Sequence, residues 1–118
     1  MNNLSNFVCV PCETGGDPMN EEQISKYTPQ VPEWKVIDTD TISKLMREFT
    51  FKNFVEAISF ADSVGKIAEE NGHHPKLVVE WGKVRVLWWT HAVKGLHRND
   101  FIMAAKTEEI YNLSNGHS

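Results

Sequence analysis

Cysteine is nearly absent from this chain: Cys9 and Cys12 are the only two. Spaced Cys-x-x-Cys, they fall short of the four ligands a structural zinc site takes, and no βαβ context marks them as a thioredoxin-type redox pair. They read as two thiols on an arm, with zinc shared through His117 or a neighbouring subunit as the alternative. A basic excess is absent too. Twelve Lys and Arg against 16 Asp and Glu leave a formal charge of −4, whereas a nucleic-acid surface is expected to look basic. No apolar run approaches the roughly 20 residues a membrane span needs. Residues Met1 to Asn6 lack the charged start and apolar stretch of a secretory signal. The expectation is a cytoplasmic protein without nucleic-acid or membrane partners. What is present, 118 residues with 41% hydrophobic and 24% charged, suits one globular domain.

Residues 1–18 hold Pro11, Gly15, Gly16 and Pro18 without periodicity, which predicts a flexible or loosely docked arm ahead of a single domain over 19–118. Asn20 is placed to cap a short helix reaching Tyr27, which Pro29 and Pro32 end. Trp34 to Ile37 and Ile42 to Phe51 read as a hairpin turning at Asp38-Thr39-Asp40, with Leu45, Phe49 and Phe51 on one face and Arg47 interrupting it. Phe51, Phe54, Ile58, Ala61, Val64 and Ala68 recur at helical spacing, widened by Phe60 and Ile67, which predicts a helix with one buried face. Gly72 suits a left-handed helix end, and Pro75 prevents resumption. Leu77 to Trp81 and Val84 to Thr90 form a second hairpin around Gly82, and Asn99 or Asp100 caps a last helix carrying Phe101, Ile102, Met103, Ile110 and Tyr111. The order α-β-β-α-β-β-α predicts an α+β domain, a four-stranded antiparallel sheet with helices on one face. An uncovered face and a free edge strand would favour oligomerisation.

The chemistry concentrates between Glu69 and Asp100. His73 and His74 sit in the link after the long helix, and His91 ends the hairpin that begins there, so its return is expected to bring His91 beside them. Glu69 lies one helical turn before His73, and Asp100 opens the last helix as a cap or as an acceptor for a histidine N–H. Three readings stand. The histidines are surface or capping residues. They form a three-histidine zinc shell, against which adjacent residues in an extended link point to opposite sides. Or they are metal-free general acids and bases, suited to eliminating water from a polar heterocycle, with Trp81 as a flat wall.

Glu69-x3-His73-His74-Pro75-x5-Trp81-x9-His91-x8-Asp100 resembles the signature of the pterin-4a-carbinolamine dehydratase family. Phe49-Thr50-Phe51-Lys52-Asn53-Phe54 and Gly95-Leu96-His97-Arg98-Asn99-Asp100 are similar to it as well, and the likeness covers roughly residues 30–113. Leu77 stands where some members carry a second aromatic. The resemblance implies the same α+β fold and a dehydratase that needs neither metal nor organic cofactor. The reaction it implies is loss of water from a 4a-hydroxytetrahydropterin to give the quinonoid dihydropterin, in tetrahydropterin recycling after aromatic amino-acid hydroxylation. It implies His73 and His91 as the proton-transfer pair, His74 as substrate-orienting, and Glu69, Pro75, Trp81 and Asp100 as supporting or substrate-binding residues. A pterin substrate, a homodimer or homotetramer and a functional link to an aromatic amino-acid hydroxylase are the implied partners. The alternative role is that of a dimerisation cofactor for a transcription factor or for the hydroxylase.

Overall fold

The computed structural model describes residue 4 and residues 17–115, the side chains of 114 and 115 excepted. In chain order these form α1 (Glu21–Tyr27), β1 (Lys35–Thr39), β2 (Ile42–Thr50), α2 (Phe54–Asn71), β3 (Lys76–Glu80), β4 (Lys83–Trp88) and α3 (Arg98–Asn115). Short 3-10 turns at Thr28–Gln30 and His91–Val93 follow α1 and β4. The strands make one antiparallel sheet in the order β1-β2-β4-β3. Its two hairpins are therefore joined through their second strands, with Leu45 opposite Trp88 and Phe49 opposite Val84. The expected α+β architecture is what the chain adopts.

Alternation along the strands decides which side the helices cover. Leu45 and Phe49 of β2 and Val84, Val86 and Trp88 of β4 are all buried, and they meet Ala57, Phe60, Val64 and Ala68 of α2 and Phe101, Ile102 and Met103 of α3. Each such large apolar side chain contributes about 1.5–3 kcal/mol by leaving water. Arg47 belongs to this same inward row. Its guanidinium lies 4.4 Å from the Phe49 ring centroid and pairs with Glu108, so the charge is matched where the alternation looked broken.

Several strand ends shift by one residue, and three boundaries and one face differ from expectation by more. β1 runs on to Thr39, and the turn falls on Asp40 and Thr41, both at positive φ (54° and 64°), as a two-residue hairpin connection demands. β4 ends at Trp88 rather than Thr90, because Thr90 instead bridges Gly95 around the 3-10 turn. α3 starts at Arg98, ahead of both residues expected to cap it. The buried stripe of α2 is Ala57, Phe60, Val64 and Ala68, while Phe54 and Ile58 are exposed together with Val55. The apolar residues of α2 wrap more of its circumference than the sheet and α3 can cover, and spacing alone did not say which set would win. The expected capping of α1 by Asn20 takes the form of a capping box with Gln23. Most of the expected arm lies outside the described residues. Within it, Leu4 is buried in the core and Pro18 packs against Gly95.

Candidate active site

The end of α2 sets the first histidine. Gly72 takes φ 62°, the left-handed conformation that closes a helix, and its N–H and that of His73 return to carbonyls of the last turn. This delivers the His73 ring onto Trp88 of β4 in a parallel stack, 5.7 Å between centroids and 7° between planes. Trp88 is itself anchored, donating its indole N–H to Thr107 Oγ1 at 3.2 Å, while the Thr107 hydroxyl donates to the Met103 carbonyl.

His73 Nε2 then meets Asp100 Oδ1 at 2.6 Å. The Asp100 side chain is wholly buried and that of His73 is 11% exposed. The other oxygen, Oδ2, accepts from the Thr90 hydroxyl at 2.8 Å and from the His97 backbone N–H at 2.9 Å. A carboxylate accepts only, so each of its partners must donate. That places a proton on His73 Nε2, so the neutral ring would carry its lone pair on Nδ1. The same carboxylate would stabilise the imidazolium formed when Nδ1 takes up a proton.

The neighbouring residue has a different setting. His74 Nε2 meets Glu69 Oε1 at 2.6 Å, with side-chain exposures of 60% and 78%. Backbone alternation thus sends the two histidines to two carboxylates, and Glu69 serves His74 rather than His73. Pro75 leads into β3, whose first residue, Lys76, pairs with Leu87 at the mouth of the second hairpin. His91 stands exposed in the 3-10 turn with its ring against Trp89 (4.7 Å between centroids), and Lys44 Nζ lies 4.2 Å from the Trp89 ring centroid. Trp81 is at the opposite end of that hairpin, in the turn, and is 72% exposed. Five strand residues separate it from the mouth, about 16 Å at strand rise. Within one chain it cannot wall a ring bound at His73, because a tight hairpin turn lies a full strand length from its own mouth.

His97 was not among the expected site residues, nor were Thr90 and Trp88. Its ring Nδ1 accepts the Asn99 backbone N–H at 3.1 Å. Burial holds His97 below the usual histidine range, with His73 and Arg98 acting in the same direction and the charge of Asp100 opposing them. The one sequence signal for it is position: it lies three residues before Asp100, the spacing of a capping box. Among the described residues no group of three or more His, Cys, Asp and Glu side chains is arranged to hold a metal ion. The Cys9–Cys12 pair and His117 lie outside the described residues.

Fold and cluster together define a class: a two-layer α+β domain presenting two histidine–carboxylate pairs, one buried and one exposed, fit for acid–base chemistry. The chain belongs to the pterin 4 alpha carbinolamine dehydratase family, whose model matches residues 17–110. A relative from Chlorobium luteolum is 53% identical over 111 residues, covering 94% of this chain and 97% of its own. One from Chlorobaculum tepidum is 51% identical over 110 residues, covering 93% and 99%. Both carry pterin-4-alpha-carbinolamine dehydratase as a provisional name. A crystal structure described as a transcriptional coactivator/pterin dehydratase from Brucella melitensis superposes with a TM-score of 0.71 at 26% identity, covering 80% of this chain and 98% of that one. A pterin dehydratase-like RuBisCO assembly factor of the α-carboxysome shares the fold at 18% identity, with a TM-score of 0.56.

Proposed function

We propose that this chain is a 4a-hydroxytetrahydrobiopterin dehydratase, a hydro-lyase of cytoplasmic tetrahydropterin recycling linked to phenylalanine hydroxylation. The observation that carries the reading is the buried His73–Asp100 hydrogen bond, which holds one imidazole in a single tautomer with Nδ1 available as a base. In the reaction the ring N–H next to C4a gives its proton to a base while the C4a–O bond breaks. A general acid protonates the departing hydroxyl, water leaves, and a C=N bond forms. The acid and base finish with exchanged protons, and solvent resets them. Each positioned proton transfer is worth about 10²–10⁴ in rate.

His73 is the base in this reading, since Asp100 stabilises the imidazolium it becomes. His91, exposed beyond the hairpin mouth, is the partner on the hydroxyl side. His74, oriented by Glu69, faces the substrate from the solvent side, and Pro75 holds the link extended. Trp81, far from His73 in its own chain, would reach a pterin only across a contact between copies, which fits a homo-oligomeric enzyme. A regulatory, partner-binding role is the second reading, supported by the exposed Phe54, Val55 and Ile58 row on α2.

The test follows dehydration of a 4a-hydroxypterin generated in situ by a hydroxylase. Wild type is expected to exceed the spontaneous rate, and His73→Ala and His91→Ala are expected to lose most of the acceleration. No acceleration by wild type sinks the enzymatic reading, and activity abolished by a chelator returns a metal to the mechanism.

A further inference from the structure

We propose that His97 is a titratable N-cap of α3 and a positioning residue for the dehydration, setting Asp100, and through it His73, only while its own ring is neutral. The inference rests on the dehydratase reading for its kinetic half and on geometry alone for its structural half. His97 immediately precedes α3 and does three things at once. Its Nδ1 accepts the Asn99 N–H, its backbone N–H donates to Asp100 Oδ2, and its carbonyl accepts the Asp100 N–H at 2.9 Å. This is a reciprocal capping arrangement in which the acid three residues into the helix reaches back to the cap. The usual caps are Ser, Thr, Asp and Asn, none of which gains a positive charge. An imidazole in that place serves only with a lone pair on Nδ1.

Protonation turns that acceptor into a donor facing another donor and sets a positive charge at the positive end of the helix dipole. The groups facing His97 are Asp100 and Arg98 from the first turn of α3 and His73 from the link after α2. Asp100 alone favours the charged ring, whereas burial, His73 and Arg98 oppose it. A positive charge on His73 would therefore work in the same direction as burial. The sign for stability follows. The folded state favours neutral His97, so this contribution is complete above the ordinary histidine value of about 6.5 and is lost as the pH falls below it.

The experiment compares kcat between pH 5 and 8 for wild type, His97→Ser and His97→Ala, with the histidine rings and backbone amides of the same proteins followed by NMR. The Ala variant, uncapped at every pH, is expected to lose about fivefold in its folding constant and to show a lowered kcat even at pH 8. The Ser variant, capped without a titrating group, is expected to recover most of that loss. Its acid limb is expected to be shallower than that of wild type by one proton. In wild type the Asn99 amide and the His73 Nε2–H signals are expected to shift together as His97 titrates, and the Asn99 shift is expected to vanish in the Ser variant. Equal acid slopes for wild type and the Ser variant, or an Ala variant matching wild type at pH 8, overturn the kinetic half. An Asn99 amide indifferent to His97 titration overturns the structural half, and it does so whether or not wild type dehydrates a pterin.

Discussion

His73 and His74 are adjacent in the chain, each meets a carboxylate oxygen at 2.6 Å, and almost everything else about them differs. The His73 carboxylate is fully buried, accepts two further hydrogen bonds and meets the edge of a ring stacked on Trp88. The His74 carboxylate is on an open helix end with solvent around both partners. At the same separation the interaction is far stronger where water is excluded, since surface pairs are screened and worth about 0–1 kcal/mol. Distance alone does not rank the pairs. Burial and the remaining partners of the acid do, and they mark His73 as the histidine with a fixed tautomer and His74 as one free to adjust to a ligand.

The sharpest way to break this comparison is to remove the buried histidine. His73→Ala is expected to lower kcat by about 10²–10⁴, and His74→Ala to lower it less while raising KM, as steady-state kinetics on both variants would show. Equal losses in kcat would mean that the two pairs are equivalent. Next in size is Asp100→Asn. The amide keeps the shape but presents an N–H2 group where acceptors are needed, so either His73 or the Thr90 and His97 donors lose a partner. About 10²-fold in kcat and about 1–3 kcal/mol in denaturant stability are expected to go together. Stability lost with kcat intact would make Asp100 a structural anchor only.

Thr90→Val removes one of the three donors to Asp100 while keeping the side-chain shape. It is expected to cost about 1 kcal/mol of stability and to leave the substitution at Asp100 the larger effect on kcat. Chemical denaturation read beside kinetics separates the two.

Much of this was legible beforehand. The α+β order, the left-handed Gly72 and the placement of two adjacent histidines on opposite sides followed from residue types with strong local meaning: a glycine after a helical stripe, a proline after it, and strand-period alternation. The face of α2 was not legible, because Phe54, Val55 and Ile58 are as apolar as Ala57, Phe60 and Val64, and only the tertiary fit of sheet and α3 chooses between them. The partner of each histidine was not legible either. Glu69 and Asp100 both lay within reach, and the assignment depends on where α3 begins, a boundary that capping preference placed two or three residues late. His97 escaped for a related reason, since a histidine serving as an N-cap carries none of the residue types that announce one.

The smallest expected effect tests the exposed half of the comparison. Glu69→Gln keeps a hydrogen-bond acceptor for His74 and removes only the charge. With the Glu69 side chain 78% exposed and that of His74 60% exposed, water already supplies most of what the carboxylate offers, so less than about threefold in kcat/KM is expected. The residual effect should fade as ionic strength rises, because the Debye length falls from about 10 Å at 0.1 M salt to about 3 Å at 1 M. The buried His73–Asp100 pair is expected to show no such salt dependence, since Asp100 is fully buried and His73 nearly so. If Glu69→Gln proved as damaging as Asp100→Asn and insensitive to salt, the exposed pair would have to be covered in the working enzyme, by bound substrate or by a second copy of the chain. The open helix end would then be half of a site that two subunits complete.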